Sequence, residues 1–397
     1  MKILMLSWEY PPHMVGGLGQ HVYDLSIFLA KRNVSVHIIT PRVIGAPDYE
    51  SGRGVHIYRV GRSSREGEDF RAWTFSFNSE AIHEAIHLNA EMGGFDAVHA
   101  HDWLVAYAGR AIARSLEVPL ISTIHATEHG RNLGLHNRVQ REINEIEKNL
   151  TMEAEQVICC SNYMARQIAS LFRITQEEIA VIPNGVVPKQ FTALPQKVEV
   201  EVNTEGAIIF FIGRLVPEKG VYQLIQAMPA VLAAVPDARL YIAGRGSQKE
   251  VLEELIEQLG LQERVVLLGF LKPYNRNYLY HQAAVAVFPS LYEPFGIVAL
   301  EAMATHTPVI VGDTGGLSEI VQHGFNGLKI PSGNVEALAD AIIRVLKDEF
   351  FSRSMTENAF RELLETYDWD DIAGQTIKVY ERCIERYGQR ELISECD

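Results

Sequence analysis

Cysteine is scarce in this chain, with four among 397 residues and no C-x-x-C pair. Cys159 and Cys160 sit side by side in an apolar run, and Cys383 and Cys396 lie far downstream. That pattern offers no disulfide framework and fits buried thiols in a reducing, cytoplasmic setting. Cation excess is missing as well: 36 Lys and Arg stand against 50 Asp and Glu, a formal net charge of −14. Duplex nucleic acid is thereby disfavoured as a partner, because neutralising its phosphates takes a basic surface. A nucleotide site needs only one or two cations and stays open. No run approaches the ~20 apolar residues that span a bilayer. The opening Met1-Lys2-Ile3-Leu4-Met5-Leu6-Ser7 is short and runs into Glu9 and two prolines. It reads as a first buried strand, not a signal sequence.

What the chain does have is length and apolar content. Its 397 residues are long for one domain, and 47% hydrophobic residues suffice for two cores. Short β-branched runs alternate with helical periodicity throughout. Strands are predicted at 3–7, 35–40, 55–60, 97–101, 120–125, 156–161 and 179–183 in the first half. The second half yields 207–213, 239–243, 265–269, 285–289, 308–312 and 327–330. Such alternation means βαβ units and parallel sheets buried on both faces, an α/β chain. The stretch 188–206 interrupts it with Pro188, Pro195 and a charged run, and marks an interdomain linker. Domains of 1–190 and 191–366 follow, with a final helix over about 367–397 that could join either. Open parallel sheets bind ligands beyond the carboxyl ends of their strands, so those positions carry the chemical interest.

Gly16-Gly17-Leu18-Gly19 follows the first strand and opens a helix, where backbone amides could meet a phosphate or sugar. A tight strand-to-helix turn explains it equally well. It is not G-x-G-x-x-G, and no G-x-x-x-x-G-K-[ST] loop occurs, so dinucleotide and P-loop readings lose support. His99, His101 and Asp102 end one strand, with the two histidines on one face. His125, Thr127, Glu128 and His129 end the next. A metal there would need a third ligand that the sequence does not supply, and none is expected. Arg214 and Lys219 follow the first strand of the second half and suit a diphosphate, or form a solvated turn with Glu218. Gly244-Arg245-Gly246, Gly312-Asp313-Thr314-Gly315-Gly316 and Pro183-Asn184-Gly185-Val186 are turns that could meet phosphate or be turns alone. Glu293 precedes a helix predicted to start near Gly296, and Glu301 lies within it among apolar residues. A carboxylate in such surroundings is costly unless something pairs with it. A ribose diol would serve for Glu301, and Glu293 at the positive helix end could orient a sugar.

Taken in order, Gly16-Gly17, His101-Asp102-Trp103, Pro183-Asn184-Gly185-Val186, Gly213-Arg214 with Lys219-Gly220, and Glu293 with Glu301 resemble the family 4 glycosyltransferases of GT-B fold. That family groups with the glycogen and starch synthases, and the resemblance spans essentially the whole chain. It implies two facing Rossmann-like, doubly wound domains around a cleft, with the C-terminal helix crossing back onto the first. It also implies a retaining, metal-independent hexosyl transfer without a cofactor, the donor being a nucleotide sugar and the acceptor a carbohydrate. Arg214 and Lys219 would neutralise the leaving diphosphate, and Glu293 would face the transferred sugar. Glu301 would hold the ribose, while Gly296 and Ile297 would present backbone to phosphate. Gly244, Phe270 and Leu271 would flank the nucleotide. His101 would contact sugar hydroxyls, with His125 and Gly17 beside the donor. His99-Ala100-His101-Asp102-Trp103 points to a glucan synthase using ADP- or UDP-glucose. Met14-Val15 stand where bacterial glycogen synthases carry Lys-x before the paired glycines, leaving the nucleobase open. Lipid, cell-wall and small-molecule acceptors are the other enzyme readings, and a non-catalytic sugar-nucleotide-binding protein is the reading from another class.

Overall fold

The computed structural model describes residues 1–62, 69–192, 194 and 198–394. Two compact units make up the chain: Met1–Asn184 with Trp369–Asp397, and Gly185–Asp368. The expected linker spans the start of the second unit, and its Pro195 and Lys197 lie outside the described residues, as does Cys396.

The first unit is built on an eight-stranded sheet. Its strands are β1 (Lys2–Ser7), β2 (Ser35–Pro41), β3 (Tyr49–Gly52), β4 (Val55–Val60), β5 (Ala97–His101), β6 (Leu120–Ile124), β7 (Gln156–Cys159) and β8 (Ile179–Val181). They lie in the order β3-β4-β2-β1-β5-β6-β7-β8. All pairs are parallel except β3 with β4. β3 has no counterpart among the predicted strands. Tyr-Glu-Ser-Gly is short, polar and largely exposed, so it carries no alternation to read. Buried on both faces, β1 is a nearly continuous apolar run, while β5 is wholly buried although His99 and His101 are two of its five residues.

Six parallel strands form the second sheet: β9 (Ile208–Ile212), β10 (Arg239–Ala243), β11 (Val265–Gly269), β12 (Val285–Phe288), β13 (Val309–Gly312) and β14 (Leu328–Ile330). Their order is β11-β10-β9-β12-β13-β14, the 3-2-1-4-5-6 winding of a Rossmann sheet. The chain reverses direction across the sheet between β9 and β12 here, and between β1 and β5 in the first unit. At each reversal two successive crossovers leave in opposite directions, and the strand ends are free to meet a ligand.

The final helix, Trp369–Ser394, packs on the first unit, against the helix Gly17–Lys31. Tyr380 Oη and His99 Nδ1 are 2.7 Å apart. Arg32 donates to both carboxylate oxygens of Asp370 at 3.0 and 2.6 Å, and Arg390 to Glu155 at 2.8 Å. Trp369, 1% exposed, stacks 6.3 Å from Phe28 and edge-on 5.5 Å from His21. Among the described residues no helix is long and apolar enough to cross a membrane.

Removing the Trp369 ring would leave a cavity under this helix. Trp369→Ala is expected to lower the unfolding free energy by about 3–5 kcal/mol in urea titrations. Trp369→Phe is expected to cost far less, since the indole nitrogen has no partner to lose. Equal costs for the two variants would remove packing as the anchor.

Candidate active site

In the second unit, the β9–β12 reversal gathers charged side chains that are distant in sequence. Lys219 follows β9, Glu293 follows β12, and Lys219 Nζ donates to Glu293 Oε2 at 2.5 Å. Ser290 Oγ reaches the same oxygen at 3.4 Å. Glu293 is 9% exposed, so the pairing compensates a nearly buried carboxylate. Its backbone is held too. Gly316 N donates to Glu293 O at 2.9 Å. Gly315, at φ +54°, lies so close that an added Cβ would be 1.9 Å from that oxygen. The Gly312–Gly316 turn therefore braces the loop that carries Glu293. Arg214 is exposed and donates to Glu218 at 3.2 Å, the turn pair its sequence also allowed.

Glu301 corrects the sequence argument built on its burial. Only 5% exposed, it accepts from Arg276 Nη1 at 2.7 Å and Tyr280 Oη at 3.1 Å. The protein itself supplies the partners that an apolar helix could not, so burial alone does not require a ribose. Both come from the helix Pro273–Gln282, where spacing of i and i+4 puts them on one face. That Arg-x-x-x-Tyr spacing was the available signal, and sequence reasoning passed over it. The helix Ile297–Ala304 starts from Gly296, at φ +110°, with no side-chain cap. Gly244, at φ +143°, has its Cβ position 1.8 Å from Gly213 O. Only glycine fits where the ends of β9 and β10 close together. Gly244 N donates to Gly269 O at 2.7 Å, which sets Phe270 beside the turn. Phe270 is 62% exposed, with the Arg245 guanidinium 5.8 Å from its ring centre. Leu271 is buried next to it.

The first unit gathers imidazoles at its own reversal. His99 and His101 share a face, with ring centres 4.1 Å apart. Their fates differ. His99 has both nitrogens engaged, at 2.7 Å from Tyr380 Oη and 2.7 Å from Thr123 Oγ1. His101 is 0% exposed, lies 3.2 Å through Nδ1 from His125 Nε2, and leaves its own Nε2 buried without a partner. His21, from the first turns of the helix that opens at Gly17, joins them. Its Nδ1 is 2.7 Å from Asn184 Oδ1, and its Nε2 is buried and unpartnered. This gives Pro183-Asn184-Gly185-Val186 a role in orienting His21. Sequence reading missed His21, whose signal was a histidine on the buried face of that helix, beside Val22 and Leu25. Gly17 is exposed at the helix start. The amides of Val15 and Gly16 donate to Glu9 Oε2 at 2.8 and 3.0 Å, so an internal carboxylate occupies the start of the glycine loop.

Burial keeps these imidazoles neutral. It holds His21 and His101 well below the usual histidine value and takes His125 down to about 3, with Arg131 adding to the effect on His125. Asp102 takes φ +62° and accepts from His125 N at 2.7 Å. Burial raises its carboxyl to about 6, although Arg131 and the amides of His125 and Ala126 oppose the shift. Glu147, which accepts from Glu128 N at 2.9 and 3.1 Å, is raised by burial to about 8 against the pull of Arg131.

Comparison with known proteins supplies the family. The family described as Glycosyltransferase Family 4 matches residues 15–190, and Glycosyl transferases group 1 matches residues 195–362. An uncharacterized glycosyltransferase, MJ1607 of Methanocaldococcus jannaschii, is 37% identical over 98% of this chain and 100% of its own. A glycogen synthase of Mycobacterium tuberculosis is 35% identical over 96% of this chain and 94% of its own. The solved sucrose-phosphate synthase of Thermosynechococcus elongatus superposes with a TM-score of 0.83 at 25% identity, covering 96% of this chain and 98% of that one. The chain belongs to the family 4 glycosyltransferases and has their GT-B fold. It is a hexosyltransferase that draws on a nucleotide-sugar donor.

Glu147 supplies a pH test. Its carboxyl titrates near 8 in the folded chain against 4.5 as a free side chain, so the folded state binds the extra proton between those values. The stability it contributes is complete below 4.5 and is lost as pH rises through 8. Glu147→Gln is therefore expected to lose less stability than the parent between about pH 5 and about pH 8, read from urea midpoints. The difference between the two proteins cancels the opposite trend of the histidines. An unchanged slope would exclude this carboxyl as its source.

Proposed function

We propose that the chain is a retaining transferase that moves glucose from ADP- or UDP-glucose onto an α-1,4-glucan. The observation that carries the transfer chemistry is the Lys219–Glu293 pair at the β9–β12 reversal, with Arg214 beside it in sequence. As the glycosidic bond breaks, the sugar becomes oxocarbenium-like and negative charge grows on the leaving diphosphate. Fixed cations stabilise that charge. Lys219 acts as a point charge and Arg214 as a planar fork. Glu293, held by Lys219 and by the Gly316 amide, orients the sugar's hydroxyls. The uncapped amides after Gly296 take a phosphate oxygen. Glu301 keeps acceptor capacity beyond Arg276 and Tyr280 for the ribose hydroxyls. Gly244, Phe270 and Leu271 flank the base. On the first unit, the unpartnered Nε2 of His101 contacts a sugar hydroxyl, and His125 and Gly17 are assigned to the donor's side. A leaving phosphate oxygen takes the acceptor's proton on the same face, so the scheme retains configuration and asks for no metal.

Glucose and a glucan acceptor are supported by the likeness to glycogen synthase across nearly the full length. A phosphorylated small-molecule acceptor is the second reading, favoured by the superposition on sucrose-phosphate synthase. Released nucleotide, measured for each donor with each acceptor, separates them. Label appearing in glycogen supports the glucan reading, and turnover only with a sugar phosphate or a lipid rejects it. With the productive pair, Lys219→Ala and Glu293→Ala are each expected to lower kcat by about 10²–10³-fold with circular dichroism unchanged. Glu293→Gln, which keeps the shape and loses the charge, is expected to fall with them. Near-normal turnover in all three would sink the site assignment.

A further inference from the structure

The three imidazoles of the first unit form more than a polar surface. His21, His101 and His125 each place one ring nitrogen within 4.8 Å of the others'. Their ring centres are 4.8 to 5.6 Å apart. Because the partner of His21 Nδ1 is a carbonyl oxygen, that nitrogen carries the proton and Nε2 carries the lone pair. This lone pair is buried and unmatched, and His101 Nε2 is a second buried nitrogen without a partner in the same group. Two orphaned nitrogens in one place call for an occupant, since buried polar atoms are otherwise nearly always paired. An imidazole whose far N–H donates to a carbonyl is also how ligating histidines are oriented. His125 is only partly buried and gives the group an edge toward solvent.

We propose that His21, His101 and His125 bind one divalent transition-metal ion of the kind that prefers imidazole, such as Zn²⁺, Co²⁺ or Ni²⁺. Tetrahedral coordination at about 2.1 Å places ligand nitrogens roughly 3.4 Å apart, so the rings draw together on binding. Three protein ligands leave one position for a small ligand. Asn184 fixes the His21 ring, and the Asp102 carboxylate holds the backbone of His125. The nearby charges are Arg131, which opposes a cation, and the Asp102 carboxylate, which favours one, while burial keeps Glu147 protonated near neutral pH. No chemistry passes through the metal. It occupies the Nε2 with which His101 would contact a sugar, and so acts as an inhibitor. This consequence rests on the role proposed for His101, whereas binding does not.

The test is a Co²⁺ titration of the full chain followed by visible absorption, which reports nitrogen ligation whether or not the enzyme turns over. One equivalent with a tetrahedral spectrum displaced by Zn²⁺ is expected. His21→Gln and His125→Gln are expected to abolish the spectrum, and Asn184→Ala to weaken binding by about 10–100-fold through loss of orientation. Circular dichroism checks that each variant is folded, and the two ligand variants back one another. No cobalt spectrum, or one that survives in both, overturns the proposal. Survival would place the metal elsewhere, such as the exposed His87–Glu91 pair at 3.3 Å. If binding is confirmed, Zn²⁺ should suppress transfer and a chelator restore it. Inhibition absent despite binding would leave the site standing and overturn the inhibitory consequence.

Discussion

Parallel strands cannot be joined by a tight turn. Each must send the chain back across a face of the sheet before the next can pair, and the right-handed sense of that return is nearly fixed. From this constraint the site follows. When crossovers run first one way and then the other, the two central strands end beside one another with no connection spanning them. β9 and β12 are such a pair, and so are β1 and β5. Lys219 and Glu293, 74 positions apart, meet there because the winding order leaves them nowhere else to go. His101 and the glycine loop meet the corresponding gap in the first sheet. The glycines at 244 and 315 are secondary to this arrangement: they let neighbouring strand ends and loops approach closely enough to fix the charged side chains.

Much of the fold was legible because its parallel strands are short, largely apolar and β-branched runs separated by helical periodicity. Thirteen of the strands could be placed that way, most within two residues. Their ends were the weak point: β6, β7 and β8 stop short, so that His125, Ser161 and Pro183 belong to loops. β3 escaped because an exposed antiparallel edge of four polar residues buries no face and leaves no period. The final helix was visible as a helix, and its host came from the family resemblance and not from its own residues, since docking depends on Trp369, Tyr380 and Asp370 finding partners hundreds of positions upstream.

At the site, residue types were legible and their pairings were not. Arg214 and Lys219 looked like one cationic element, yet Arg214 turns to Glu218 and Lys219 to Glu293. Glu301 looked like a carboxylate waiting for a ligand, and its partners were Arg276 and Tyr280 on a helix with nothing unusual in its composition. The His99 and His101 pair looked alike and divide into a structural residue and an open one. A side chain's neighbours across a sheet are set by winding order and register, and neither leaves a local trace in the chain. His21 shows the same limit: a lone histidine on an apolar helix face gives no hint of the two others it faces.

Val186 bridges to Asp368, and its amide donates to Tyr367 O at 3.2 Å, so the chain enters and leaves the second unit side by side. The second unit is thus an insertion within the first. During synthesis its residues are all available before Trp369 emerges. The first unit, although begun earlier, must wait for the last helix to cover Phe28 and His21. The half that starts first is completed last, and until then the surface meant for that helix is open to the solvent and to chaperones.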